Sequence, residues 1–530
     1  MVSKETKVSD TTTWSCSVQN GAASLTFQVN SGNPQPFSIK GMCYSPCPIG
    51  DSNQFGNLGD WFWDTFTVGG TTITSWQGTW SNDLPNIIAL GANTIRVYCM
   101  LDEQMEPGTQ TFTHQNFLDT CYENGIFVLV GIPLPSRLFC ESVGPPPSPY
   151  DTTWWTARLT NTVLQLADHP AVMGFIIANE VDDGATDTYN PSNAQYWWSQ
   201  IEAMAKIAKT NAPNKLVGIA NHDDPGICEH CQTYMANCPS VDFWGVNTYQ
   251  PQTFASVFGG NGVTGYSTLT GNALKPVILT EYGFPSTGRL TADTLNPQNI
   301  IWSPSQEWTD GLQSNVATVL TAVMPTAYTQ YPINLGICYF EYCDELWNQS
   351  AYQINSGTCP GANSPYAPNA PTTQLFSAGP LTSYFGGPPA CGFPNYYWDN
   401  DGFGLYAVEV GTGRNPSQPW DGSTNAPALP LDQRLARNTV ITALQSIWGT
   451  TAQGMAVMEA GVVLEVVVTN PGAGYDSPPS VMIQPPGNDG TVAQAVATIG
   501  NGIVTAVVMT DQGSGYDFGP QVTFSPPSTN

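Results

Sequence analysis

From about Ser38 to Phe340, short apolar runs alternate with longer stretches whose apolar positions recur at the helical period. The runs Ser38–Tyr44, Thr94–Tyr98, Ile126–Ile132, Val172–Ala178, Leu216–Ala220, Phe243–Asn247, Pro276–Glu281 and Leu335–Phe340 read as strands. Between them, Asn82–Leu90, Gln115–Asn124, Thr153–Ala167, Ala194–Asn211 and Glu307–Met324 read as helices, several of them ending in Gly, Asn or Pro. Eight strands with intervening helices over about 300 residues predict an α/β fold, a (β/α)8 TIM barrel. A doubly wound sheet is the rival, but no Gly-x-Gly-x-x-Gly follows an early strand.

The pattern also divides the chain. Residues 1–34 are expected to form an N-terminal strand segment packing on the barrel, and 35–448 the barrel, closed by a last helix over Leu431–Trp448. An insertion at about 343–402, rich in Pro, Gly, Asn and Tyr, reads as an ordered loop region tied by disulfides. Helical periodicity stops after Trp448, and Gly449–Gly454 reads as a linker to a small all-β module over 455–530. Within it Gly461–Pro486 and Gly502–Pro527 align without gaps and share Gly-x-Gly-Tyr-Asp, at Gly472–Asp476 and Gly513–Asp517. Each copy is expected to be a strand, a Gly-rich turn and a second strand.

Composition narrows the function. The formal net charge is −27, yet only 10% of residues are charged, where about 25% is usual. Such a chain repels phosphate backbones, which excludes nucleic acid as a partner. With 41% apolar and 11% aromatic residues it has ample core material and is not a disordered chain. No apolar run reaches the ~20 residues that a transmembrane helix needs. Thirteen cysteines with scarce lysine point to an extracellular or cell-surface protein, although Met1–Asp10 shows no apolar signal-peptide core. An odd count leaves at least one thiol free or paired between chains.

Barrels carry their reactive groups at the C-terminal ends of their strands. There the sequence offers Asn179-Glu180 on strand four, Glu281-Tyr282-Gly283 on strand seven and Arg96 with Tyr98 on strand two. Asn247 and Tyr249 follow strand six, and Tyr44 follows strand one. Both glutamates directly follow apolar runs, where a charged group needs a reason. A carboxylic acid and a carboxylate flanking one bond is what glycoside hydrolysis requires.

Ile177–Glu180 and Leu279–Gly283 resemble the acid/base and nucleophile strands of clan A retaining glycoside hydrolases. A narrower resemblance is to the family 72 β-1,3-glucanosyltransferases. It is carried by Phe37–Pro46, Asn93–Tyr98, Cys121 with Gly125-Ile126, Tyr339–Tyr342 and Phe403–Tyr406, and spans roughly 35–345 with patches up to 445. The chain departs from that family's pattern at Ala178 for Gly, Cys43 for Asp, and Gln250-Pro251 for Trp-Cys. The resemblance implies Glu281 as nucleophile, Glu180 as general acid and then base, and Asn179 as the partner of the sugar 2-hydroxyl. Arg96 and the Tyr249 hydroxyl are expected to hold Glu281 ionised. Burial and the neighbouring carboxylate are expected to raise the pKa of Glu180. Tyr44, Tyr98, Asn247, Tyr282, Glu341 and Trp347 complete the expected substrate site, without cofactor or metal.

The function expected is a retaining β-glycosidase or transglycosylase acting on a β-glucan, β-1,3-linked, by double displacement. The alternative is a glycan-binding or structural surface protein built on a glycosidase-like barrel. Either has a polysaccharide or oligosaccharide as partner, with self-association or surface attachment through the β module. Trp61, Trp63, Trp76, Trp80, Trp302 and Trp308 join Tyr98, Tyr249 and Trp347 as candidate sugar platforms. Cys228-Glu229-His230-Cys231, with His222 and Cys238, has zinc-like spacing, but the cysteine-rich composition favours disulfides. Asn348-Gln349-Ser350 fits a glycosylation sequon. Asp182-Asp183-Gly184 and Asn488-Asp489-Gly490 read as turns in preference to calcium loops.

Overall fold

A computed structural model describes residues 10–46, 61–64, 66–68, 71–73, 77–100, 113–135, 138–139, 152–182, 191–260, 262–284, 310–345, 403–409, 432–449, 451–472, 475, 477–487, 490–500, 503–525 and 527. The chain divides into two compact units. One is Met1–Leu84 with Asn93–Arg437, the other Pro85–Ala92 with Asn438–Asn530.

The first unit opens with an antiparallel sheet of β1 (Thr12–Gln19), β2 (Ala22–Val29) and β3 (Gln35–Pro36). Asn20 and Gly21 join β1 to β2, both at positive φ, the conformation that a two-residue type I′ hairpin demands. Strand β4 (Ile39–Cys43) starts the barrel, and a small hairpin, β5 (Phe66–Val68) and β6 (Thr71–Ile73), follows. The barrel continues through β7 (Thr94–Val97), β8 (Phe127–Gly131), β9 (Val172–Asn179), β10 (Leu216–His222), β11 (Phe243–Asn247), β12 (Val277–Tyr282) and β13 (Asn334–Tyr339). Each pairs in parallel with the next, and β13 returns to β4 through Gly336↔Ile39 to close the ring. Strands β7, β8, β11 and β12 are buried at every position, as parallel strands covered by helices should be. All eight expected runs are strands, within two residues at either end.

Helices α1 (Gln77–Ala89), α2 (Gln115–Glu123), α3 (Thr152–Leu166), α4 (Pro191–Asn211) and α7 (Asp310–Thr329) fall where the periodicity put them. Two more, α5 (Pro225–Met235) and α6 (Ala255–Phe258), were not expected. In α5, Asp224 caps the helix by accepting the Gly226 N–H at 2.8 Å, and Pro225 sits at its first turn. Its buried face is Ile227, Cys228, Cys231 and Met235, so these cysteines act as small apolar core residues. Cys228 and Cys238 are free thiols, which corrects the disulfides expected there. Cys16, Cys43, Cys121, Cys338 and Cys343 are free as well. Cys47, Cys140, Cys359 and Cys391 lie outside the described residues, as does most of the 343–402 insertion.

Sheet β1–β3 covers the N-terminal end of the barrel. Thr12 Oγ1 donates to Pro170 O, the Trp14 N–H to Asn214 O and the Ala23 N–H to Pro332 O, each just ahead of a barrel strand. Trp14, Phe27, Phe37 and Phe127 fill the space between, their ring centroids 4.8 to 5.7 Å apart. That leaves the C-terminal mouth for chemistry. Beyond β13, β14 (Tyr406–Glu409) pairs with β15 (Gln433–Ala436). Strand β15 takes residues that helical propensity alone had assigned to the last helix, an override of local preference by pairing.

The second unit holds α8 (Asn438–Trp448) and six strands: β16 (Gln453–Glu459), β17 (Val462–Asn470), β18 (Val481–Ile483), β19 (Gln494–Gly500), β20 (Ile503–Asp511) and β21 (Val522–Phe524). The repeat is therefore three strands, not two, and its first strand precedes the detectable sequence similarity. The halves interlock. β21 of the second repeat pairs with β16 and β18 of the first. The Val463 N–H donates to Gln512 O and, forty-one residues on, the Val504 N–H donates to Pro471 O. Tyr475 and Tyr516 accept the Ala452 and Ala493 N–H groups in the same way. Val463, Val466, Tyr475, Ile483, Val504, Tyr516 and Phe524 form the module's core.

Candidate active site

Both glutamates stand where a strand carries one extra residue. On β9, Ile176 to Asn179 spans three steps while its partner β10 takes two, from Gly218 to Ala220. On β12, Leu279 to Glu281 spans two steps against one on β11. Such bulges re-aim the following side chain. Glu180 follows its bulge at φ +50°, a left-handed conformation that non-glycine residues seldom adopt, and its N–H donates to Ala220 O at 2.8 Å.

One hydrogen-bonded network joins the two carboxylates. Arg96 Nη1 donates to Glu281 Oε1 at 2.8 Å and to Thr280 O at 2.7 Å, while its Nη2 holds Asn179 Oδ1. The Tyr98 hydroxyl reaches Glu281 Oε1 at 2.8 Å, and the Tyr249 hydroxyl donates to Oε2. Asn247 is the link. Its Oδ1 accepts from Thr280 Oγ1 (2.7 Å) and Arg96 Nη1 (3.3 Å), which orients the amide so that Nδ2 donates to Glu180 Oε1 at 2.9 Å. Beside this network a cavity of about 220 Å3 is lined by Arg96, Tyr98, Gly131, Ile132, Pro133, Leu134, Ile176 and Asn179. A Cβ on Gly131 would lie 2.5 Å from Tyr98 O, so glycine is needed for the close approach of β7 and β8.

Arg96 and Tyr249 at Glu281, and burial at Glu180, each act in the expected sense, but burial at Glu281 and His222 at Glu180 turn the net directions round. Burial raises the Glu281 carboxyl above the ordinary value, opposed by Arg96 and the two tyrosine hydroxyls and reinforced by Glu180. For Glu180 burial also pushes upward, but the hydrogen bond and charge of His222 outweigh it and bring the carboxyl below the ordinary value. His222 Nε2 lies 3.3 Å from Glu180 Oε2. Its Nδ1 lies 3.1 Å from Asp182 Oδ1, and its backbone N–H donates to both Asp182 oxygens. His222 was grouped with the cysteines and Asp182 with a turn. Asp182 does lie in the turn that follows β9, while His222 ends β10, whose apolar run stops at Ala220, two residues before the strand does.

Arg96, Tyr98, Asn179, Asn247 and Tyr249 converge on the glutamates, and other expected residues do not. Tyr44 is buried and donates to Asp83 Oδ2 at 2.9 Å, in a network with Tyr342 and Arg434. Tyr282 points away from the mouth by strand alternation and packs on Phe254 and Phe284, fully buried. Glu341 is buried beside Asp344 and Glu345; burial first, then those acids, pushes its carboxyl well above the ordinary range. Trp61, Trp63 and Trp80 are core residues, no more than 2% exposed, and not open platforms. Trp76, Trp302, Trp308, Trp347 and the sequon lie outside the described residues. Glu229 and His230 occupy the exposed side of α5, opposite its cysteines. No cluster of three His, Cys, Asp or Glu suited to a metal occurs among the described residues.

Fold and site place the chain among the (β/α)8 barrels that carry paired strand-end glutamates. It belongs to the glucanosyltransferase family, family 72 of the glycoside hydrolases, whose model matches residues 24–295. It is 30% identical over 171 residues to a 1,3-beta-glucanosyltransferase of Arthroderma benhamiae, covering 32% of this chain and 28% of that protein. It is 26% identical over 265 residues to 1,3-beta-glucanosyltransferase gas1 of Schizosaccharomyces pombe, covering 47% and 42%. The chain thus spans less than half the length of these relatives. Among solved structures it is similar to Saccharomyces cerevisiae Gas2p in complex with laminaripentaose, at 16% identity, covering 65% of this chain and 64% of that one, TM-score 0.36.

Proposed function

We propose that this protein is a retaining β-1,3-glucan transglycosylase or hydrolase, with Glu281 as nucleophile and Glu180 as acid and base. The observation that carries the reading is the single network in which Arg96, Tyr98 and Tyr249 serve Glu281 while Asn247 reaches Glu180. Three donors on the Glu281 carboxylate favour its charged form and fix its direction of attack on the anomeric carbon. Glu180 delivers a proton to the departing glycosidic oxygen, then removes one from the acceptor hydroxyl. In this reading Asn179 bonds the sugar 2-hydroxyl, which its bond from Arg96 and the cavity beside it support. The family and the names of its relatives support β-1,3-glucan as donor.

The decisive experiment incubates laminari-oligosaccharides with wild type and Glu281→Ala and separates the products. Wild type should release shorter chains or make longer ones, and Glu281→Ala should do neither. Azide should then restore cleavage with inversion. Binding without turnover by wild type would leave a glycan-binding barrel instead. We further place the protein outside the cell or on its surface; the polymeric substrate, more than the cysteines, supports this. Among the described residues, no helix is long and apolar enough to cross a membrane. The β module is the proposed region of attachment or self-association, supported by exposed Met482 (68%) and Phe518 (63%).

A further inference from the structure

We propose that His222, fixed by Asp182, is the proton store for Glu180, so that Asp182, His222 and Glu180 work as a relay in both halves of the reaction. The inference rests on Glu180 being the acid and base. Three geometric facts carry it. The Asp182 side chain is fully buried, and it holds His222 through Nδ1 and through the backbone N–H. That grip fixes the ring and leaves Nε2 directed at Glu180 Oε2, 3.3 Å away. Asn247 occupies the other oxygen of Glu180. A stabilising ion pair is a poor explanation, because the histidine side chain is 41% exposed and the glutamate 33%, and pairs so open to water contribute little.

The proton balance closes. At rest one proton is shared between Nε2 and Oε2. In the first step Glu281 bonds to the anomeric carbon, the glycosidic C–O bond breaks, and the Glu180 proton goes to the departing oxygen. Neutral His222, its Nδ1–H on Asp182, then faces a Glu180 carboxylate. In the second step an acceptor hydroxyl attacks, the bond to Glu281 breaks, and the hydroxyl proton returns to the pair. Burial opposes a charged ring, but the bonds to Asp182 and Glu180 outweigh it and push His222 up to about 11. Among the described residues, the other charged or titratable groups about the pair are Arg96 on β7, Glu281 on β12, Tyr249 after β11, and Asp223, whose Oδ2 is turned to Thr248, Gln250 and Ser256.

The test is kcat/KM against pH for wild type, His222→Gln and Asp182→Asn, on a laminari-oligosaccharide and on an aryl glucoside with a dinitrophenolate leaving group. With the natural linkage, the basic limb should move to lower pH by about one unit or more in His222→Gln, and less in Asp182→Asn. Departure of dinitrophenolate needs no proton, so its release should change by less than about threefold. A basic limb unmoved in both variants would overturn the relay. Asp182→Asn, which keeps an acceptor for Nδ1–H, carries the test should His222→Gln fail to fold. Glu180→Gln is the control: wild-type turnover there would sink the acid/base reading itself, whereas a dead control with an unmoved limb sinks only the relay.

Discussion

At the barrel mouth five strands each contribute one side chain to the site, and each side chain has its own partners. Arg96 comes from β7, Asn179 from β9, His222 from β10, Asn247 from β11 and Glu281 from β12. In the repeat module the opposite holds: the bond from Val463 to Gln512 has its twin from Val504 to Pro471, and Tyr475 has its twin in Tyr516. The surfaces differ too. Among the described residues the barrel unit exposes two large apolar side chains, Leu164 and Val263, while the module exposes nine, Met455, Met482, Val496 and Val508 among them. The contrast teaches where each kind of information resides. A fold built by duplication announces itself through spacing. A site built by convergence does so only residue by residue.

Breaking the convergent half should cost most. Glu180→Gln is expected to lower kcat/KM on a natural glucan by roughly 10²- to 10⁴-fold, the range that general acid–base catalysis supplies. Oligosaccharide turnover measures it, with the melting of the module unchanged. Next come the twin tyrosines. Tyr475→Phe and Tyr516→Phe each leave a buried N–H without its acceptor, at a cost of about 1–3 kcal/mol. Denaturant unfolding should give similar losses for the two; a loss at one alone would show the repeats to be inequivalent.

A smaller effect concerns pH and stability. His222 has its folded value raised, so the small contribution left to so open a group is fully present below the ordinary imidazole value near 6.5 and is lost as pH rises toward about 11. Thermal melts from pH 6 to 10 should show a decline that His222→Gln flattens. Least of all, ending the chain at Gly449 is expected to leave turnover of a short soluble oligosaccharide nearly unchanged. We propose on that basis that the repeats fold as their own unit, and complete loss of activity in a folded truncate would refute it.

The barrel was legible because parallel strands buried on both faces leave continuous apolar runs, as at Phe127–Gly131. Five strand-end residues beyond the glutamates were legible by the same rule. Helix α5 was not, because its buried face uses two cysteines, and Cys228-x-x-Cys231 invites a reading by covalent chemistry before one by period. Tyr282 misled by adjacency: it follows Glu281, and on a strand neighbours face opposite ways. His222 was hidden because β10 runs on past its apolar residues through Asn221. The three-stranded repeat was cut short since β16 and β19 share structure with little sequence.

Strand β21 bridges β16 and β18, with Thr523 opposite both Gln453 and Met482. During synthesis, the first repeat therefore waits: β16 and β18 leave the ribosome long before the strand that lies between them. Until Thr523 has been made, those two edges stand open, and unpaired edges are where chains join wrongly. A strand from a second nascent copy offers the same ladder, but closure within one chain has the higher effective concentration once β21 has emerged. The duplication that makes the module easy to read thus also makes the order of its assembly matter.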